Sequence, residues 1–447
     1  MSEGAHDTLI AGPAKRSLSG EVIVPGDKSI SHRAMILASL AGGISEIHGF
    51  LPGEDNLATL HMFEQMGIRM EWLNEAKTDL RIHGAELYGL KQPQSVLDAG
   101  NSGTCARLMT GVLAGQPFTS TVTGDASLRT RPMRRVTEPL RRMGAHIEGH
   151  DGGNLLPLSI DGGSLKGIHH VSKVASAQVK SCILLAGLYA EGETRVREPK
   201  PSRDHTERML PLFGQPLNIL DDVSISLNPM GELTAPNHPI HIPADPSSAA
   251  FFAVAAGIVD GSEISMNGIG INPRRDGWRR ILGDMGAAIS VENESAVGEE
   301  PVADISVCHG AMNGIRVNPN DIADAIDEFP ILFVAAALSD GEFILEEAEE
   351  LRVKESDRIA AMATALSACG AAVQEQACGL RIQGCGQLTG GVTIDARGDH
   401  RIAMAMAVAA QRATDEITIQ HAAAIATSFP DFVPLAQAMG MNMRWAA

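Results

Sequence analysis

The sequence predicts a mixed α/β (α+β) protein of two lobes, each made of three βαβαββ repeats with buried helices inside, an inside-out α/β barrel. Three observations predict it. An apolar, Ala-rich helix followed by a second helix ending near a glycine occurs six times in the 447 residues. The first helix of each pair is apolar all round, which only a buried helix tolerates. Two similar Pro-rich turns, Pro25-Gly26-Asp27 and Ile242-Pro243-Ala244-Asp245-Pro246, lie half a chain apart and read as crossings between lobes.

The first helices are expected to begin near Lys28, Asn101, Ser176, Ser247, Asp327 and Asp399. The closing glycines are Gly67, Gly144, Gly214, Gly286, Gly370 and Gly440, spaced 70 to 84 residues apart. Such a period marks a repeated supersecondary unit, and a helix-ending glycine fits a left-handed cap. Ser248–Ile258 reads SAAFFAVAAGI and Phe329–Leu338 reads FPILFVAAAL, both apolar on every face. The second helices are amphipathic, as in VTEPLRRMG and WRRILGDMG. Short β-rich runs between them include Glu21–Val24, Asp79–His83, Ser120–Thr123, Arg195–Glu198, Glu263–Met266, Gly341–Leu345 and Glu416–Gln420. Alternating strands and helices give a layered α/β structure. The lobes are expected to comprise residues 1–24 with 244–447, and residues 25–243.

Charge and composition exclude several functions. The 36 basic and 54 acidic residues give a net charge of −18, and aromatics are sparse, which argues against nucleic-acid binding. No apolar run approaches the length that spans a bilayer, and the first residues lack the pattern of a secretion signal. A cytoplasmic protein is expected. The six cysteines are scattered without a C-x-x-C pair, so no zinc site is expected and all six read as structural or incidental.

Unusual chemistry gathers at the helix starts. Pro25-Gly26-Asp27-Lys28-Ser29-Ile30-Ser31-His32-Arg33 is a glycine turn into a helix carrying two cations, a pattern suited to phosphate or carboxylate. Gly100-Asn101-Ser102-Gly103-Thr104 lets backbone N–H groups approach a ligand closely. Arg129, Arg131, Arg134 and Arg135 cluster around Pro132; Arg134 and Arg135 read as a solvated face, and Arg131, before a helix started by Pro132, as an anion ligand. Ser176-Ala177-Gln178 precedes another apolar helix, with Arg203-Asp204-His205 downstream. In Leu351-Arg352-Val353-Lys354-Glu355-Ser356-Asp357-Arg358, a proton-transfer pair adjoins an anion clamp. Asp327-Glu328 and Asp399-His400-Arg401 open two more helices. Ordinary capping or solvation accounts for each alone. Together, Lys28, Arg33, Arg131, Arg203, Lys354, Arg358 and Arg401 would place about seven positive charges in one cleft, and two anionic small substrates would balance them.

PGDKSISHR, GNSGT, RP-M, SAQ, RDHTE, LRVKESDR and DHRIAM, in this order, resemble the signatures of the 5-enolpyruvylshikimate-3-phosphate (EPSP) synthases. The resemblance runs from Lys28 to beyond Arg401. It implies two lobes of three repeats that close on substrate. It also implies transfer of the enolpyruvyl group of phosphoenolpyruvate to the 5-hydroxyl of shikimate 3-phosphate, in the pathway to chorismate. No metal or organic cofactor and no partner beyond the two substrates are implied, and a monomer is expected. Carried over by motif, Lys28, Arg131, Arg358 and Arg401 would clamp phosphoenolpyruvate beside the Gly103 backbone. Ser29, Arg33, Ser176, Gln178, Arg203 and Lys354 would hold shikimate 3-phosphate. Asp327 would take the hydroxyl proton, and Glu355 with Lys28 would handle the carbon proton.

The sequence departs from the family pattern in places. Thr427 stands where many members have Lys, and Ala177 where many have a second Ser. GDKS, SAQVKS and RDHTE resemble the subgroup that includes glyphosate-tolerant members. Those members carry Ala where this chain has Gly103, so sensitivity is expected. The nearest rival is the sister enolpyruvyl transferase acting on a UDP-amino sugar, but its PG-x-K-N start and loop cysteine are missing here. An RNA-end-processing or RNA-binding repeat protein conflicts with the charge. Intact Lys28, Asp327, Glu355 and Arg401 argue against a non-catalytic paralogue.

Overall fold

Six sheets carry the six repeats in the computed structural model, which describes residues 7–446; the first six residues of the chain start read above lie outside the described residues. In the second repeat, Leu97–Asp98 pairs parallel with Thr119–Thr123, which pairs antiparallel with Leu155–Asp161, and that strand pairs with His146–Gly149. The third repeat follows the same order with His169–Val171, Thr194–Arg197, Ser224–Leu227 and Asn218–Asp221. Each parallel step needs a crossover, and the buried helix supplies it.

Contacts divide the chain into two units: Met1–Pro25, Pro243–Ala296 and Pro301–Ala447 form unit 1, and Gly26–Ile242 with Val297–Glu300 form unit 2. Each unit has its own hydrophobic core. Distant segments complete several sheets within each unit. Leu233–Thr234 and Ile240–His241 pair with Ala41–His48. Ser19–Val22 pairs with Glu263–Gly270, and Leu9–Ala11 lies between Ile417–Gln420 and Met443–Trp445.

Unit 2 contains α1 (Lys28–Leu40), α2 (Glu54–Gln65), α3 (Gly103–Ala114), α4 (Arg134–Met143), α5 (Ala177–Gly187) and α6 (His205–Met209). Unit 1 contains α7 (Pro246–Ile258), α8 (Gly277–Asp284), α9 (Phe329–Ala337), α10 (Arg358–Ala368), α11 (His400–Ala409) and α12 (Phe432–Ala438). Every residue of α7 and of α9 is buried, as their all-round apolar sequences require. All six closing glycines adopt positive φ, between 83° at Gly214 and 113° at Gly144, the left-handed cap that glycine takes without a Cβ penalty. Close approach also demands glycine at Gly111, where a Cβ on α3 would lie 2.3 Å from the Cys182 carbonyl oxygen of α5. Among the described residues, no helix is long and apolar enough to cross a membrane.

Short polar residues start the helices that carry the chemistry. Asp27 accepts from the Ile30 N–H at 2.9 Å, Ser102 from Cys105 at 3.1 Å and Ser176 from Val179 at 3.5 Å. In unit 1, Asp245, Asp357 and Asp399 cap α7, α10 and α11 through their side chains. Each satisfies a donor that the helix cannot. One expected start moves: Pro132 does not open α4. The Met133 N–H bonds the Asn154 carbonyl at 2.7 Å, so that the helix begins at Arg134.

Candidate active site

In unit 2 the starts of α1, α3 and α5 present Lys28, Gly103 and Ser176. Lys28 Nζ bonds Asp55 Oδ2 at 2.9 Å, and the Lys28 carbonyl accepts from Asn56 at 3.2 Å. One turn further, Arg33 is 4% exposed. It donates to Thr206 Oγ1 at 2.8 Å, the Ser29 carbonyl at 2.9 Å and Ser181 Oγ at 2.8 Å. These acceptors are all neutral. Desolvation pushes the Arg33 guanidinium down to about 10, with Glu207 and Asp27 opposing and Arg203 assisting. A buried guanidinium whose hydrogen-bond partners are neutral oxygens has capacity to take an anion.

Gln178 Nε2 donates to Thr104 Oγ1 at 2.9 Å, and its Oε1 accepts from Arg107 Nη1, also at 2.9 Å. Arg107 reaches back to the Gly103 carbonyl at 3.3 Å and across to that of Pro132 at 3.1 Å. Arg131, 6% exposed, donates to Asn101 Oδ1 at 2.7 Å. The starts of α3 and α5 and the segment before α4 are thus bonded into one surface. Arg203 lies just before Asp204, the residue preceding α6, and is half-buried; Arg134 is exposed, as a solvated face requires, but Arg135, read with it, is half-buried.

In unit 1 the expected residues form one bonded network. Asp327 Oδ1 accepts from Lys354 Nζ at 3.1 Å and from Arg358 Nη1 at 3.2 Å. Arg358 is 1% exposed; it bonds Asp399 Oδ2 through Nε at 2.9 Å and Glu355 through Nη2. Nearby carboxylates overcome the desolvation of this guanidinium and raise it above its ordinary value. Arg401 Nη1 donates to the Asp327 carbonyl at 2.8 Å and Nη2 to Ser247 Oγ at 3.3 Å. Ser247 also accepts from Arg275 at 2.9 Å and donates to Glu328. Thr427 donates to the Ala424 carbonyl at 2.7 Å and lies 3.4 Å from His400 Nδ1.

The expected excess of positive charge needs correction. Asp55 holds Lys28, while Asp327, Asp399, Glu355 and Glu328 hold Lys354, Arg358 and Arg401. Glu355 belongs to the same motif as Lys354 and Arg358, but Asp55, Asp327, Asp399 and Glu328 reach their partners from segments that local sequence does not connect to those cations. Arg107 was also missed as a site residue, although its spacing of four from Gly103 puts both on one helix face. Among the described residues, Asp204, His205 and Glu300 alone bring three metal-ligand-type atoms within 4.8 Å. Arg208 Nε lies 2.9 Å from Asp204 and 4.0 Å from Glu300, so a guanidinium already balances them.

His32 gives a prediction on stability. Its Nδ1 meets Thr59 Oγ1 at 2.9 Å. Burial, then Lys28 and Arg33, hold its pKa well below 6.5, with Asp27 opposing. The unfolded chain therefore binds a proton that the folded chain refuses. The contribution of His32 to stability should be flat above neutral pH and fall as pH drops below the unfolded value, at no more than about 1.4 kcal/mol per pH unit. Denaturant midpoints between pH 5 and 8 check this. His32→Gln should flatten the slope, and an unchanged slope would count against the assignment.

A family model described as EPSP synthase (3-phosphoshikimate 1-carboxyvinyltransferase) matches residues 13–435. The chain is 53% identical over 442 residues to a 3-phosphoshikimate 1-carboxyvinyltransferase of Methylococcus capsulatus, covering 98% of this chain and 99% of that one. It is 51% identical to the protein of that name from Hydrogenovibrio crunogenus, with 96% of each covered. Its fold matches a solved EPSP synthase of Acinetobacter baumannii with a TM-score of 0.87 and 45% identity, covering 98% of this chain and all of that one.

Proposed function

The chain belongs to the EPSP synthase family, and on that premise we propose how its residues share one reaction, transfer of the enolpyruvyl group of phosphoenolpyruvate to the 5-hydroxyl of shikimate 3-phosphate with release of phosphate. The observation that carries the division of labour is the unit 1 network, in which one buried guanidinium, Arg358, holds both Asp327 and Glu355. Two proton-transfer groups are fixed beside cations, as general acid–base chemistry on an anionic substrate requires.

Glu355 and Lys28 deliver a proton to the methylene carbon of phosphoenolpyruvate. The shikimate hydroxyl oxygen then bonds the adjacent carbon, and Asp327 takes the hydroxyl proton. Removal of a proton from the new methyl group expels phosphate and restores the double bond. Lys28, Arg131, Arg358 and Arg401 clamp phosphoenolpyruvate, with the Gly103 backbone contributing. Ser29, Arg33, Ser176, Gln178, Arg203 and Lys354 hold shikimate 3-phosphate. Arg33 supports that role most directly, because its hydrogen-bond partners are neutral oxygens, although Glu207 and Asp27 act on its charge from nearby. A cytoplasmic monomer needing neither metal nor organic cofactor completes the reading.

The test is phosphate release from phosphoenolpyruvate with either shikimate 3-phosphate or a UDP-amino sugar as acceptor. Release should depend on shikimate 3-phosphate. Release with the UDP-sugar alone would assign the chain to the sister activity, and release with neither would leave a non-catalytic protein.

Gly103 sets inhibitor access. A Cβ there would lie 2.6 Å from Arg107 Nη1 and 3.4 Å from Arg131 Nη1, so the Arg107 guanidinium must move. The parent enzyme should be inhibited by glyphosate. Gly103→Ala should raise the half-inhibiting concentration by about tenfold or more, the scale of one added methyl in a fitted pocket. Equal inhibition of both enzymes would refute the assignment of this glycine.

A further inference from the structure

We propose that Glu198 is a positioning residue for shikimate 3-phosphate, fixing the start of α5 and the loop before Arg203 in one arrangement. This rests on the substrate assignment above. Glu198 follows the strand Thr194–Arg197 and is 4% exposed. Its Oε1 accepts from the Ser176 backbone N–H at 2.8 Å and from Ser202 Oγ at 2.9 Å. Its Oε2 accepts from Ser202 Oγ at 2.8 Å and pairs with Lys180 Nζ at 2.9 Å.

One carboxylate therefore grips three places. Ser176 and Gln178 ride on the start of α5, Lys180 sits in its next turn, and Ser202 adjoins Arg203. Gln178 is held from α3 as well, but Arg203 follows a loop, and the Ser202–Glu198 bond ties that loop to α5. An anion of fixed shape is bound well only when its ligands keep their mutual spacing. The carboxylate also faces a backbone N–H at a helix start, where negative charge is favoured.

Lys180 is the cation that Glu198 and Glu207 share. It bonds Glu207 Oε1 at 2.7 Å and the Ser202 carbonyl at 3.4 Å in addition to Glu198. Although burial opposes it, Glu207 and Glu198 raise the pKa of Lys180. Glu198→Gln consequently leaves Lys180 paired with Glu207. What the amide loses is a second acceptor: its one oxygen cannot replace two, and its NH₂ group faces donors.

The experiment measures phosphate release by the full chain, varying each substrate in turn. Glu198→Gln should raise KM for shikimate 3-phosphate about tenfold, with kcat and KM for phosphoenolpyruvate changed less than about twofold. Ser202→Ala, which removes only the tie to the loop, should shift the same constant by about threefold and decides the matter if Glu198→Gln fails to fold. Leu184→Ala, a core change on α5, should lower the melting temperature without altering the ratio of the two KM values. Unchanged KM values in Glu198→Gln, or in Ser202→Ala where it is the deciding variant, would overturn the proposal. So would a loss confined to kcat, or an equal rise in both KM values. A parent enzyme that does not use shikimate 3-phosphate would instead overturn the substrate assignment and this inference with it.

Discussion

Asp327→Asn is expected to lower kcat by about 10²–10⁴-fold, the range a positioned general base supplies, while KM for each substrate stays within a few-fold. The amide keeps an oxygen where Lys354 Nζ and Arg358 Nη1 now donate at 3.1 and 3.2 Å, so geometry survives. The amide cannot take the proton of the 5-hydroxyl. Glu355→Gln should cost a similar factor, since its oxygen can still meet Arg358 but cannot give or take a proton. In deuterated water the two variants part company. Reversible protonation of the methylene carbon leaves deuterium in recovered phosphoenolpyruvate; that exchange should vanish in Glu355→Gln and persist, slowed, in Asp327→Asn. A loss below about tenfold in kcat for either variant would remove that residue from the proton-transfer role.

Much of the fold was legible because burial leaves a strong imprint on the first helix of each repeat. A sequence such as SAAFFAVAAGI cannot sit on a surface, and a glycine closing each second helix marks the period. The structure begins these six buried helices within two residues of the starts read from sequence. Strand pairing was less legible. Leu233–Thr234 and Ile240–His241 are two-residue strands with too few positions for alternation to show, yet they complete the sheet of Ala41–His48. Leu9–Ala11 pairs with strands near the other end of the chain, a partnership no local pattern encodes.

The site divides along the same line. Cations at helix starts stand out in an acidic protein, because they oppose the helix dipole and demand a reason. Acidic partners outside those motifs do not stand out. Asp55 lies in the first turn of α2, where an acid is favoured for dipole reasons alone, and only the fold reveals its bond to Lys28. Glu198 directly follows a strand, a place that singles out no carboxylate. The cations at the helix starts were thus easier to read than the distant residues that hold them in place.

Arg358→Met should therefore damage unit 1 more than any surface change and by a specific route. The guanidinium serves Asp327, Glu355 and Asp399 at once, and Asp399 is wholly buried. Asp399 accepts further bonds from Ser356 Oγ at 3.0 Å and from the Arg401 N–H at 3.0 Å, but neither donor is a cation at the bonded atom. Removing one member of such a buried pair costs about 3–5 kcal/mol, a large part of the roughly 5–15 kcal/mol that stabilises a typical domain. Arg358→Lys should recover only part, because one ammonium cannot span three carboxylates in the geometry of a planar fork. Adding Asp399→Asn to Arg358→Met should recover part of the stability, since the wholly buried carboxylate is then neutral while Asp327 and Glu355 still lack the guanidinium, yet leave turnover abolished because the proposed phosphoenolpyruvate clamp still lacks Arg358. A double-mutant cycle read by chemical denaturation measures that coupling. Equal losses in the single and double variants would mean that packing around the long side chain, rather than charge pairing, holds this helix start together.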